Sequence, residues 1–199
     1  MNDYTAFTNE ELVSIGKNLK LNNVWNLYYH IKNTKNLYND NTIHLMKIDN
    51  ISDFWGTYNN IPQPSKLFYD GINNKKIKST NETPSAYSLF KDNIFPAWED
   101  VNNINGFEFS IKYYNYNLID KIWLDYLLSI ISNEYEHIDK FNGIRIIDCS
   151  IYNKIMYRIE LWFSDINDKN IIDKTFKTDF NNITSKILFR EHKVLKEKK

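Results

Sequence analysis

Along most of this chain apolar positions either alternate with polar ones or recur with helical spacing, and the changes of period mark out its elements. Residues 1–18 carry few apolar groups beyond NEELVSI and predict a flexible arm with one helical turn. VWNLYYHI, residues 24–31, alternates partially and predicts a strand with one buried face; a polar loop around Tyr38 leads to a second strand, TIHLMKI, at 42–48. DNISDFWGTYNNI predicts a helix with Asp49 or Asn50 as its cap and Asp53 in its first turn. Its apolar positions Ile51, Phe54, Trp55 and Tyr58 follow i, i+3, i+4, i+7. If Phe54 and Tyr58 face a sheet, Ile51 and Trp55 are rotated partly away from it.

Pro62 and Pro64 then break the chain, and residues 68–86 form a polar insertion without periodicity. GFEFSIKYY sets Phe107, Phe109 and Ile111 against Glu108, Ser110 and Lys112, the pattern of a strand. The next segment predicts a helix with Asn117 as cap and Asp120 as third-position carboxylate. It carries one stripe of Ile119, Ile122, Trp123, Tyr126, Leu127 and Ile130, and a second of Leu124, Leu128 and Ile131 about 130° around the helix, with Asp125 beside it. One stripe can bury against a sheet; the other needs a loop or a partner. GIRIIDCSI and IMYRIELWF, 143–151 and 155–163, predict a long hairpin in which Arg158, Glu160 and Trp162 share a face. A third helix is expected over 165–181, a short strand in KILFREHKV, and a basic tail over 193–199. Strands in succession with helices at irregular intervals give the class α+β, with a mainly antiparallel sheet covered on one side.

A chain of 199 residues is expected to form one domain, here 19–192. Its 25 basic and 25 acidic residues balance, so long polyanions and membrane surfaces exert no general pull, and any nucleic-acid contact must be local. The single cysteine, Cys149, excludes an internal disulfide and a cysteine-built zinc site. With no signal-like start and no apolar run near ~20 residues, the expectation is a soluble cytoplasmic monomer. Aromatics make up 16% of the chain, enough for a large aromatic core. The abundance of Asn, Ile and Lys reflects an AT-rich gene, cellular or carried by a large virus.

The chemistry concentrates in YSLFKDNIFPAWED, residues 87–100. Trp98 and Glu99 set a flat π face beside a two-oxygen acceptor, which suits guanine: its edge offers two N–H donors and its ring stacks. A guanine made cationic by methylation at N7 adds a cation–π contribution of roughly 0.5 to 2 kcal/mol. This stretch, with DFWGTYNNI after a strand and WLDYLLSII in a helix, resembles the eukaryotic translation initiation factor 4E family, proteins that hold the 7-methylguanosine cap of mRNA. The resemblance runs over residues 19–191.

It implies a curved sheet with three helices on its convex face and the cap in a concave slot. Trp98 is then one wall of the stack and Glu99 the acceptor of the guanine edge. Counting back from DFW puts Tyr38 at the second wall, where the family most often has Trp and a divergent, often repressive class has Tyr. Trp162 falls at the methyl contact, and Arg158, four residues earlier, at a phosphate contact. The position of the main phosphate-binding arginine falls on Cys149, leaving Arg145 or Lys154 to substitute, and the loop that covers the phosphates is short. On the convex face Ile51, Trp55, Leu124, Asp125 and Leu128 match the groove for a helix of a 4G-like scaffold or a 4E-binding repressor, with Asp for Glu. Leu19, Lys20 and Leu21 stand where the family has a His-Pro-Leu-like element.

Two other classes compete. An enzyme would draw on Glu160, His137 and His192, which form no triad or metal spacing, and there is no Gly-rich phosphate loop, so no catalytic residue, metal or cofactor is expected. An interaction module that has lost cap binding would keep only the groove of Trp55 and Leu124. Between activator and repressor, Tyr38 points to the divergent class and Trp25 to the initiation class.

Overall fold

The computed structural model describes residues 8–32, 41–68, 82–134, 137–151, 154–170, 172 and 186–192. Alternation in β1 (Lys20–Lys32) turns Trp25, Leu27 and Ile31 to a buried side and Asn26, Tyr28 and His30 to the other. Carried through hydrogen-bonded registers, that alternation sets the whole sheet. β2 (Thr42–Asn50), β3 (Thr83–Lys91), β4 (Phe107–Tyr113), β5 (Phe141–Asp148), β6 (Tyr157–Phe163) and β7 (Ile187–Glu191) join β1 in the order β2-β1-β3-β5-β6-β4-β7. Every pairing is antiparallel, as the sequence predicts.

Partners in register point the same way, so the two faces can be read across the strands. Leu27, Leu89, Ile144, Leu161 and Phe109 make one apolar row. Asn26, Phe90, Gly143, Trp162, Glu108 and Arg190 make a row on the opposite face. Two helices cover the apolar face: α2 (Ile51–Asn60) and α4 (Ile119–Ile131) flank one small cavity, lined by Phe54, Thr57 and Tyr58 from the first, Trp123 and Leu127 from the second, and Leu27 and Leu89 from the sheet. Among the described residues no helix is long and apolar enough to cross a membrane.

Several local expectations change. Residues 9–18, expected to be an arm, form helix α1 (Asn9–Asn18), capped reciprocally by Thr8 and Glu11. Gly16 seats it within contact distance of Ser52, and the Ile51 N–H bonds the Leu19 carbonyl. The polar insertion is shorter than 68–86: Phe68 is buried after a one-turn helix α3 (Pro64–Leu67), and Thr83–Tyr87 already belong to β3. Pro84 and Ala86 hide that strand in the sequence, because both residue types are depleted in strands. Asn50 caps α2 through the Asp53 N–H, as expected. Asn117 does not cap α4; Leu118 precedes it without a side-chain bond, and Asp120 instead accepts from the Ser65 backbone N–H and hydroxyl, tying α4 to α3. Of the second stripe, Ile131 is in the core, while Leu124 and Leu128 are half-buried. The hairpin strands end at Asp148 and restart at Tyr157, leaving Ile151 and Lys154 as an isolated bridge. Of the expected helix at 165–181 only the start is described, a single turn at Ile166–Asp168 and the buried Ile172; the tail at 193–199 lies outside the described residues.

Candidate functional site

The face turned away from the helices is polar, and its charges are organised around Glu160. This carboxylate is buried, accepts from Arg158 Nη2 at 2.7 Å and from the Trp162 indole N–H at 3.2 Å, and lies 3.8 Å from Arg145 Nη1. Two guanidiniums around one carboxylate leave this part of the face net positive. Lys112 stands opposite Arg158 in register. Like charges directly opposite cost stability, so this end of the sheet is suited to an anion. Nearby, burial pushes the Cys149 thiol up, which keeps it in its uncharged form.

Trp98 and Glu99 sit in the loop between β3 and β4, and two residues fix that loop. Asp100 accepts the N–H groups of Phe95 and Asn102. Asn103, fully buried, donates from Nδ2 to the carbonyls of Phe95 and Ala97, both at 2.9 Å, and accepts from Asn142 Nδ2. Its own carbonyl receives the Gly106 N–H and His192 Nδ1. Buried backbone carbonyls need such partners. The loop is thereby clamped to β5 and to the residue after β7, leaving Trp98 half-buried and Glu99 exposed.

An aromatic run backs Trp98. Phe90 lies over Gly143, where a β-carbon would come within 2.4 Å of its ring, and meets Trp162 edge-on at 5.3 Å. Trp162 contacts His192 at 4.5 Å, and His192 stacks on Trp98 at 5.8 Å and 20°. Beneath the run, buried Glu108 has no hydrogen bond to either carboxylate oxygen among the described residues. Arg190 Nη1 and His192 Nε2 each lie 3.7 Å from it. The Arg190 guanidinium is also 5.6 Å from the Trp98 ring centroid.

At the β1 end, His30 is buried between the hydroxyls of Ser88 and Thr42, at 2.7 and 3.1 Å. Burial first, and Arg145 second, push its pKa down to about 2, so the imidazole is neutral. Tyr28 touches His44 and Phe95 edge-on, and Asn26 links His44 to Asp92, which pairs with Lys47. Burial, with Asp92 and Asp100, holds the Tyr28 phenol above its ordinary range.

Trp98, Glu99, Trp162, Arg158 and Arg145 therefore come to one face of the sheet or to the loop at its rim. Tyr38 lies outside the described residues. Trp162, expected against a ligand methyl, is 1% exposed and bonded to Glu160, so it supports Trp98 through His192. Lys154 is exposed in the hairpin turn with its ammonium 6.0 Å from the Tyr114 ring. The sequence reading missed Asn103, Asn142, Glu108, Arg190 and Lys112. Glu108 and Lys112 were legible as a face, because they alternate with Phe107, Phe109 and Ile111; Arg190, on another strand, and the two asparagines carried no such signal. Among the described residues no His, Cys, Asp or Glu cluster could hold a metal ion.

On the helix side Trp55 is 37% exposed and braced edge-on by Phe54 and Tyr58, and Ile51, Leu124 and Leu128 are half-buried. Asp125 is exposed and paired with Lys121.

The family model described as eukaryotic initiation factor 4E matches residues 20–199. Eukaryotic translation initiation factor 4E1 of Drosophila melanogaster is 32% identical over 151 residues, 75% of this chain and 51% of that protein. The initiation factor 4E of Candida albicans is 30% identical over 183 residues, 86% of this chain and 78% of that protein. The chain thus spans about half the length of some curated relatives and over two thirds of others. A solved structure of C. elegans eIF4E-3 with the 4E-binding protein Mextli and cap analog superposes with a TM-score of 0.70 at 24% identity, covering 87% of this chain and 92% of that one. Ascaris suum eIF4E-3 with m7G cap gives 0.69 at 24%, over 89% and 93%. Fold, ordered motifs and family match agree: this chain belongs to the eukaryotic initiation factor 4E family.

Proposed function

We propose that this protein binds the 7-methylguanosine cap of mRNA in the cytoplasm, without catalysing a reaction, and docks a helix of a 4G-like scaffold or a 4E-binding repressor on its opposite face. The observation that carries this reading is the clamped loop. It sets an indole and an exposed carboxylate side by side at the rim of a face holding two arginines around one carboxylate. In it Trp98 stacks on the base, Glu99 accepts the two N–H groups of the guanine edge, and Tyr38 closes the sandwich from the β1–β2 connection. Arg145, Arg158 and Lys112 hold the phosphates, with Lys154 in reach from the turn. Relatives solved with a cap analog or with a 4E-binding protein give the same reading by homology.

Titration of 7-methyl-GTP against tryptophan fluorescence tests it. Two charge-assisted hydrogen bonds at roughly 1.5 kcal/mol or more each mean that Glu99→Ala weakens binding by about a hundredfold. An unchanged Kd in that variant, or equal affinity of the wild type for methylated and unmethylated GTP, refutes the base-reading assignment. Trp55→Ala should leave the cap titration intact while abolishing co-elution of scaffold or repressor from cap resin.

A further inference from the structure

We propose that Arg190 and Glu108 set how strongly the slot discriminates a cationic purine from a neutral one; this rests on Trp98 being the wall on which the base stacks. Arg190 lies on the edge strand β7, its side chain about half exposed, with its guanidinium within cation–π range of the Trp98 ring. Glu108 approaches it at 3.7 Å, longer than a hydrogen bond, so the two opposite charges act on the ring without a direct bond between them. A purine bearing a positive charge that stacks on this indole meets a charge of the same sign; a neutral purine does not. Arg190 therefore selectively weakens the cationic ligand.

Glu108 acts in the opposite sense. It is 1% exposed, on the strand next to Arg190 and directly across from Trp162, and neither of its oxygens is hydrogen-bonded among the described residues. A buried carboxylate in that state projects its field onto what lies nearest: Arg190, His192 and, through His192, Trp98. It offsets the guanidinium and favours positive charge at the stacking position. Neither residue needs to touch the ligand, so both are specificity-determining through the ring.

A base stacked on the face of Trp98 away from Arg190, in ring contact at about 3.5 Å, would stand about 9 Å from a guanidinium that is 5.6 Å from the ring centroid. There, Coulomb's law at effective dielectric constants between about 80 and 20 corresponds to roughly a two- to twentyfold change in the affinity ratio. The experiment measures Kd for 7-methyl-GTP and for GTP with the full chain, near neutral pH and at fixed ionic strength, in wild type, Arg190→Gln, Glu108→Gln and the double variant. Both ligands carry the same triphosphate, so any effect on phosphate binding cancels in the ratio. Arg190→Gln should raise the preference for the methylated ligand at least about twofold, Glu108→Gln should lower it by a similar factor, and the double variant should return toward wild type. An Arg190→Gln ratio that is unchanged or lowered overturns the proposal while leaving cap binding standing. A wild type that binds neither ligand fails the underlying reading instead. Should Glu108→Gln not fold, the exposed Arg190→Gln decides alone.

Discussion

Asn103 carries the prediction most directly derived from geometry. Its side chain makes three hydrogen bonds in a fully buried position, two of them to carbonyls of the segment bearing Trp98. Replacing it with Ala removes all three. At a net value of roughly 1 kcal/mol each, the loss is about 3 kcal/mol. With a urea slope of roughly 2 kcal/mol per molar, the unfolding midpoint falls by about 1.5 M. Asn103→Asp should cost more, because it turns a carboxylate toward the Phe95 and Ala97 carbonyls where an amide donated. The same change has a local signature. Trp25, Trp123 and Trp162 are buried, so in a Trp55→Phe background Trp98 is the tryptophan that a soluble quencher reaches. Asn103→Ala should steepen its quenching under native conditions, because the loop loses the side-chain bonds that hold the Phe95 and Ala97 carbonyls and the Asn142 amide of β5, while the Asn103 carbonyl keeps its bond to His192. An unchanged urea midpoint together with an unchanged quenching slope would show that the clamp does not hold the loop.

Three further substitutions have outcomes that follow from burial and from the space around glycine. His30 has a folded pKa of about 2, far below the usual value, so its neutral form stabilises the fold above about pH 6.5 and that contribution drains away as the pH falls. Between pH 7 and 5 the wild type should lose about 2 kcal/mol more than His30→Gln, read by urea unfolding at both pH values; equal losses would refute the assignment. Gly106→Ala would put a β-carbon 2.0 Å from the Phe163 carbonyl oxygen, where backbone cannot yield, at a cost of about 3 kcal/mol or more. Gly56→Ala, in α2 with nothing within 4 Å, should stabilise by about 0.5 to 1 kcal/mol, and calorimetric melting of the pair checks both.

The strands were legible because both faces of the sheet are strongly typed. Phe107, Phe109 and Ile111 against Glu108, Ser110 and Lys112 state the period and the buried side of β4 at once, and the Arg158, Glu160, Trp162 face of β6 followed in the same way. What that reading could not supply was register. That Arg145 comes to the Glu160 already flanked by Arg158 along β6 depends on how β5 pairs with β6, which no local pattern specifies. Asn103 and Asn142 were hidden by composition, since in so asparagine-rich a chain a structural amide looks like its neighbours. Helix α1 did leave a trace, the capping-box spacing of Thr8 and Glu11, but its docking depends on Gly16 meeting Ser52 from another element. Asn117 is not the cap: its N–H bonds the Asn115 side chain, and Asp120, its expected third-position partner, accepts from Ser65 across the fold.

The backing of Trp98 comes from the far end of the chain: His192, ninety-four residues on from the indole, stacks on its ring and bonds the Asn103 carbonyl. Without residues 187–192 the other six strands keep their pairings, because β7 is an edge strand, yet the indole has no imidazole behind it. With Trp98 as the proposed stacking wall, proteolytic clipping before Ile187 would take away the imidazole behind the indole while sparing the helical surface on the other side.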